Sequence, residues 1–94
     1  MLLQKKQMNK VFTVNGWLDY LYWQQEDKKT LRRINSLIRD IEKNGNKGMG
    51  KPEPLLGDMK GFYSRRINDR NRLIYSVDSE NICILACRYH YDDH

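Results

Sequence analysis

The stretch from Ala86 to His94, ACRYHYDDH, places an imidazole, His90, between two phenols, Tyr89 and Tyr91, just past an apolar run. Arginines stand upstream: Arg65 and Arg66 in FYSRRIN, then Arg70 and Arg72 around the opening of NRLIYSV. One carboxylate, Glu53, sits between two prolines in KPEPL. These residue types match what cleavage of a ribonucleotide chain requires. A base must take the 2′-OH proton, cations must balance the charged phosphorane, and an acid must protonate the departing 5′ oxygen. Arginine offers a planar set of donors that fits two phosphate oxygens. Histidine can be the acid if positive neighbours do not depress its pKa too far or a carboxylate offsets them. The flanking prolines cut the conformational freedom of Glu53, which makes it the general-base candidate. Tyr91 can hydrogen-bond a phosphate or stack on a base.

Taken singly, each residue has an ordinary alternative. A lone histidine near a chain end can be a surface or packing residue, KPEP can be a plain turn, and SRR can be a solvated cation pair. His90 and His94 are four apart with two aspartates between them, which is weak evidence for a metal. The glycines from Gly45 to Gly61 lack the order of a phosphate-binding loop. No metal or other cofactor is expected.

The chemistry depends on elements that bring these residues together. KVFTV, residues 10–14, reads as a short strand. A helix is expected from about Gly16 to Gln25, capped by Thr13 or Asn15, with Trp17, Leu21 and Tyr20 turned to the core. Asp27 caps a second helix, Lys28 to Lys43, whose Leu31, Ile34, Leu37, Ile38 and Ile41 form one apolar stripe. Asn44-Gly45 stops it. The segment from Gly45 to Gly61 holds five of the six glycines and both prolines, so it reads as a long loop, part of which could form a short edge segment. FYSRRIN, NRLIYSV and ICILACRYHY then form a strand meander with turns at Asp69-Arg70 and at Asp78 to Asn81. The last strand is apolar almost throughout and suits a central position, buried on both faces. The fold class is α+β: a two-helix hairpin packed on an antiparallel sheet.

Strand parity makes the geometry testable, provided no bulge intervenes. Ala86, Arg88 and His90 share one face of the last strand, and Cys87, Tyr89 and Tyr91 share the other. The opening of NRLIYSV lies beside RYHY, so Arg72 comes near His90 or Tyr91. Arg65 and Arg66 end the neighbouring strand near the same edge. Such a cluster of cations repels itself until an anion enters. Parity does not place Glu53.

Length and composition set the outer bounds. Ninety-four residues make one domain with a small core. Hydrophobic residues at 39% and charged residues at 31% suit a soluble globular protein. No apolar run approaches the length of a membrane span, and no signal peptide is evident, so a cytoplasmic protein is expected. Residues 1–9 read as a flexible polar extension, with Met8 an alternative start that leaves 87 residues. Residues 10–91 form the domain, and residues 92–94 a tail. The net charge is +5, and from Lys28 to Arg72 thirteen Lys or Arg stand against five Asp or Glu. That excess favours a polyanionic partner such as nucleic acid. Cys83 and Cys87 on one strand would lie roughly 13 Å apart, too far for a disulfide, and read as buried thiols.

Four blocks, WLDYLYWQQEDKKTLRRINSLI, GKPEPL, GFYSRRINDRNRLIY and ACRYHY, occur in order and with matching spacing, and together they resemble the YoeB (Txe) family of toxins from bacterial type II toxin–antitoxin systems. The resemblance runs from about Lys10 to Tyr91. It implies a RelE-like, microbial-ribonuclease fold and a ribosome-dependent endoribonuclease that cuts messenger RNA in the A site. It implies neutralisation by a YefM-type antitoxin, through which alone operator DNA is bound, and allows a homodimer. By that resemblance Glu53 is the general base, Arg72 the phosphate-stabilising arginine with Arg66 as a further contact, His90 the general acid and Tyr91 the substrate-positioning tyrosine. Arg65, Lys51 and Lys60 complete the expected substrate contacts. Three features depart from the family: Leu56 where a lysine is common, with Lys60 as a possible replacement, the extension before Lys10, and the Asp92-Asp93-His94 tail. A rival of another class, an inhibitor that occludes the ribosome without cutting RNA, would share the basic surface but need neither Glu53 nor His90.

Overall fold

A computed structural model of the chain describes residues 7–89. Residues 1–6 and residues 90–94 lie outside the described residues, and with them the candidate residues His90 and Tyr91. The first strand, β1, spans Asn9–Phe12, beginning inside the expected extension. Its entry is tied down where the Met8 N–H donates to Glu42 Oε2 at 2.7 Å.

Thr13 starts the first helix, α1 (Val14–Glu26), with its hydroxyl oxygen accepting the Gly16 N–H at 3.0 Å. Asp27 ends α1 and caps α2 (Lys28–Asn44), accepting the N–H groups of Lys29 and Thr30. The α2 stripe points inward as its spacing implies, with Ile34, Leu37, Ile38 and Ile41 buried and Leu31 partly so. Gly45 closes α2 at φ 65°, its N–H donating to Ile41 O.

The expected inward face of α1 is corrected. Trp17 is 45% exposed and Leu21 36%, while Trp23 is in the core. The face is chosen by Gly16. A Cβ there would overlap the Ile84 carbonyl oxygen, so the bare glycine lets α1 lie directly on the last strand. Gly16, Asp19, Tyr20 and Trp23, spaced as one helical face, then turn toward the sheet. Trp17 instead rests edge-on against Phe12 and stacks beside Tyr20.

The loop after α2 contains a two-residue strand, β2 (Glu53–Pro54), and a 3-10 turn, Gly57–Met59. The meander follows as β3 (Tyr63–Arg66), β4 (Arg72–Val77) and β5 (Asn81–Ala86). The sheet order is β1-β5-β4-β3-β2. It is antiparallel from β2 to β5, whereas β1 joins parallel to β5, so the expected antiparallel sheet carries one parallel edge. The core lies between the helices and one sheet face, built from Trp23, Ile34, Leu37, Ile41, Leu73, Tyr75, Ile82 and Ile84.

The last strand also differs from expectation. It stops at Ala86 rather than running on, because the Cys87 N–H goes to Asp19 and the Cys87 carbonyl to Trp23 instead of to a ladder, and Tyr89 then takes φ 68°, outside the extended region. Its register slips one residue earlier. Tyr75 pairs with Ile84 but Ile74 with Ala86, so Leu85 is a bulge. The bulge inverts parity beyond it: Cys87, not Ala86, continues the core face of Ile82 and Ile84. Burial alternates along β5, with Ile82 and Ile84 enclosed and Cys83 and Leu85 half-buried, so it is not enclosed equally on both faces. Both cysteines are free.

Candidate active site

Register decides which side chains share the open face of the sheet. Leu73 and Tyr75 of β4 belong to the core, and Arg65, opposite Leu73, points the same way to Asp40 of α2. Alternation sends Ser64 and Arg66 of β3, with Arg72 and Ile74 of β4, to the face away from the helices. Glu53 pairs with Ser64 across β2 and β3, so the carboxylate joins that face. Opposed side chains in such a ladder stand about 5 Å apart at Cβ and diagonal ones about 7–8 Å. Arg66 faces Arg72 directly, and Glu53 is diagonal to Arg66. A carboxylate and two guanidiniums therefore lie on one face of the sheet, Glu53 and Arg66 exposed and Arg72 partly so, around the buried Ser64 and Ile74.

Each of the three is positioned by its backbone. The Arg66 N–H donates to Gly50 O at 2.6 Å, which holds the strap leading to Lys51 and Glu53 against β3. Lys51 takes φ 52° there and is exposed at the head of β2. The Arg72 guanidinium is steadied by Nη1 donating to Asn68 O at 2.7 Å and Asn71 O at 3.1 Å. Arg66 Nη1 approaches Asp69 Oδ1 at 3.4 Å, but the Asp69 side chain is 98% exposed, so solvent screens this pair and leaves the arginine available. The two facing cations repel each other, and an anion between them would relieve that repulsion.

Arg65 does not join them. Its side chain is 0% exposed, with Nη1 donating to Asp40 Oδ2 at 2.6 Å and Met49 O, Nη2 to Gly45 O and Lys47 O, and Nε to the Tyr75 hydroxyl. Its expected role as a substrate contact is corrected: the guanidinium is on the helix side and every donor direction is used internally. Parity explains the difference, since Arg65 and Arg66 are adjacent in a strand and must point to opposite faces. Lys60 follows the 3-10 turn and is exposed, outside the strands that carry the open face. Leu56 is 83% exposed.

The chain beyond β5 is fastened from both sides. On the α1 side the Cys87 N–H donates to Asp19 Oδ2 at 3.0 Å, and Trp23 Nε1 donates to Cys87 O at 2.8 Å. Burial pushes the Asp19 carboxyl above its ordinary range, against the Cys87 N–H and the charge of Arg88, which pull it down. The Arg88 guanidinium lies 3.5 Å from the centre of the Tyr22 ring and 4.6 Å from that of Tyr89. On the β4 side the Arg72 N–H donates to Tyr89 O at 3.0 Å, which sets the residue before His90 beside Arg72. The sequence had singled out neither Asp19 nor Asn71. Only the asparagines at 68 and 71, around an already expected turn, carried a usable signal.

Residues 12–91 match a family model described as a YoeB-like toxin of bacterial type II toxin–antitoxin systems. The chain is 49% identical over 84 residues to Toxin YoeB of Streptomyces coelicolor, covering 89% of this chain and all of that one. The YoeB dimer from Staphylococcus aureus superposes with a TM-score of 0.86 at 46% identity, over 92% of this chain and all of that one. The toxin in the heterotetrameric YoeB–YefM toxin–antitoxin complex from the same organism superposes at 0.84 and 46% identity over the same shares.

Proposed function

The chain belongs to the YoeB-like toxin family of bacterial type II toxin–antitoxin systems, and from that premise we propose that it is an endoribonuclease acting on messenger RNA in the A site of the 70S ribosome. The observation that carries this reading is the register that sets Glu53, Arg66 and Arg72 on one open face. Glu53 accepts the proton of the ribose 2′-OH, and the 2′ oxygen attacks the adjacent phosphorus. Arg72, with Arg66 opposite, balances the charge of the phosphorane. His90 gives its proton to the departing 5′ oxygen, while Tyr91 positions the nucleotide. The products are a 2′,3′-cyclic phosphate and a 5′-OH end. Each proton has a side chain to carry it, so the scheme calls for no metal ion. Lys51, exposed at the head of β2, and Lys60 supply further cations along the RNA backbone.

The same reading assigns partners and place. A YefM-type antitoxin holds the toxin inactive, as the S. aureus complex pairs toxin with antitoxin, and operator DNA is reached only through that complex. A homodimer accords with the S. aureus YoeB dimer. No helix among the described residues is long and apolar enough to cross a membrane, and a ribosomal target places the work in the cytoplasm.

The test is primer extension on messenger RNA from programmed ribosomes treated with antitoxin-free protein, beside Glu53→Gln, His90→Ala and naked RNA. The expected result is one discrete A-site cut, absent without ribosomes and slowed about 10²–10⁴-fold in each variant. Ribosome binding without any cut would overturn the reading in favour of an occluding inhibitor. Cutting at an undiminished rate by Glu53→Gln would remove that residue as the base.

A further inference from the structure

The turn between β3 and β4 holds more than two strands together. Asn68 Oδ1 accepts three hydrogen bonds: from the Arg70 N–H at 3.0 Å, the Asn71 N–H at 2.9 Å and Asn71 Nδ2 at 3.1 Å. The last of these orients the Asn71 amide, whose Oδ1 accepts the Tyr89 N–H at 2.6 Å. The Tyr89 carbonyl is held in turn by the Arg72 N–H at 3.0 Å. A side chain and the next backbone amide thus grip one residue by both its N–H and its C=O. They replace the ladder that ended at Ala86. The grip falls where a fixed hold is needed, because Tyr89 sits at φ 68°, a conformation that an L-residue keeps only when its surroundings enforce it.

The same turn supports the Arg72 guanidinium through the carbonyls of Asn68 and Asn71. One small structure therefore sets both the cation and the point from which the chain continues to His90. Asn71 is only 9% exposed, and both ends of its amide are bonded. Its carboxamide is turned to Tyr89 and Asn68 rather than to solvent.

We propose that Asn71 is a positioning residue for proton donation to the leaving oxygen. It holds Tyr89, the residue from which the chain continues to the proposed acid His90, beside Arg72. The inference rests on the endoribonuclease reading. It differs from a plain stabilising role because it names the step that fails when Asn71 is lost, protonation of the 5′ oxygen, rather than attack or phosphate binding.

The experiment compares wild type, Asn71→Ala, Asn71→Asp and His90→Ala on programmed ribosomes with two messages. One carries an ordinary scissile phosphodiester, the other a 5′-sulfur in place of the bridging oxygen at the same site. A thiolate leaves without being protonated, so it bypasses the general acid. Asn71→Ala is expected to cut the ordinary message about 10²-fold more slowly than wild type and the sulfur message at close to the wild-type rate, as does His90→Ala. Asn71→Asp keeps an acceptor for the Tyr89 N–H but loses the donor to Asn68, and falls between. A loss of the same factor on both messages would overturn the proposal in favour of general disorder of the turn. Wild-type rates from Asn71→Ala on both would overturn it too. If the wild-type protein cuts neither message, the endoribonuclease reading itself falls, an outcome distinct from a defect that sulfur does not rescue.

Discussion

Arg65 Nη1 stands 2.6 Å from Asp40 Oδ2 on the helix side of the sheet, and this pair, not a substrate, is what Arg65 serves. Asp40 also accepts the Met49 N–H, while Arg65 reaches the carbonyls of Gly45, Lys47 and Met49. The first half of the glycine-rich loop is therefore wound around one guanidinium. Replacing it with methionine leaves Asp40 without its cation and three carbonyls without the guanidinium donor. Arg65→Met is expected to lose about 3–5 kcal/mol of stability, measured by urea unfolding, because a partly buried carboxylate is left unpaired. Arg65→Lys recovers part of the loss, since an ammonium supplies donors but not the planar fork.

Asp40 makes this region sensitive to acid. The hydrogen bond from Arg65, then those from the Met49 N–H and Asn44, hold its carboxyl below the ordinary aspartate value despite some burial. A depressed folded-state pKa adds stability above the unfolded value of 3.8 that is lost as pH falls through the folded value. Urea midpoints for the wild type should fall steeply below about pH 4. Asp40→Asn, less stable at neutral pH, should show a flatter decline over the same range. A parallel decline in both would remove Asp40 from the account. Asp19 works with the opposite sign: burial raises its pKa, so its contribution is full at low pH and lost as pH rises through the folded value.

The contact of α1 with β5 depends on the absence of a side chain. Gly16→Ala places a methyl group into the Ile84 carbonyl, which belongs to backbone in the middle of the sheet. The helix must lift, and the bonds that Thr13 and Trp23 donate to Leu85 O and Cys87 O, and that Asp19 accepts from the Cys87 N–H, lengthen together. A loss of about 1–3 kcal/mol is expected in denaturant unfolding. Faster amide exchange at Cys87 is the local signature to be read beside it.

The two thiols should separate in labelling. Burial, with a smaller push from Asp19, drives the Cys87 thiol up to about 12, and the residue is 0% exposed. Cys83 is half-buried on the other side of β5. Iodoacetamide at pH 8 should modify Cys83 in the folded protein and Cys87 only after unfolding, as peptide mass mapping would show. Early labelling of Cys87 would mean that the end of β5 opens readily.

Sequence by itself determined the features that local spacing controls. The α2 stripe, the Asp27 cap, the Gly45 stop and the order of β3, β4 and β5 follow from periodicity and turn chemistry, which act over a few residues. The four quoted blocks were enough to identify the family, because they carry its pattern in order. Tertiary structure alone decided which way ambiguous segments face. In α1 aromatic residues occur all round the helix, so no stripe favours one side, and the close approach of Gly16 to Ile84 selects it. Arg65 and Arg66 are equal in sequence but adjacent in a strand, and only the position of α2 says which of the two is enclosed. The Leu85 bulge and the positive φ of Tyr89 end a strand that composition would have continued. Glu53 reaches the open face through pairing of β2 with β3, a contact set by the wrap of the loop around Arg65 rather than by any pattern near Glu53 itself. Local signals name the elements, and long-range contacts fix their faces, because a side chain's surroundings depend on what the rest of the chain packs against it.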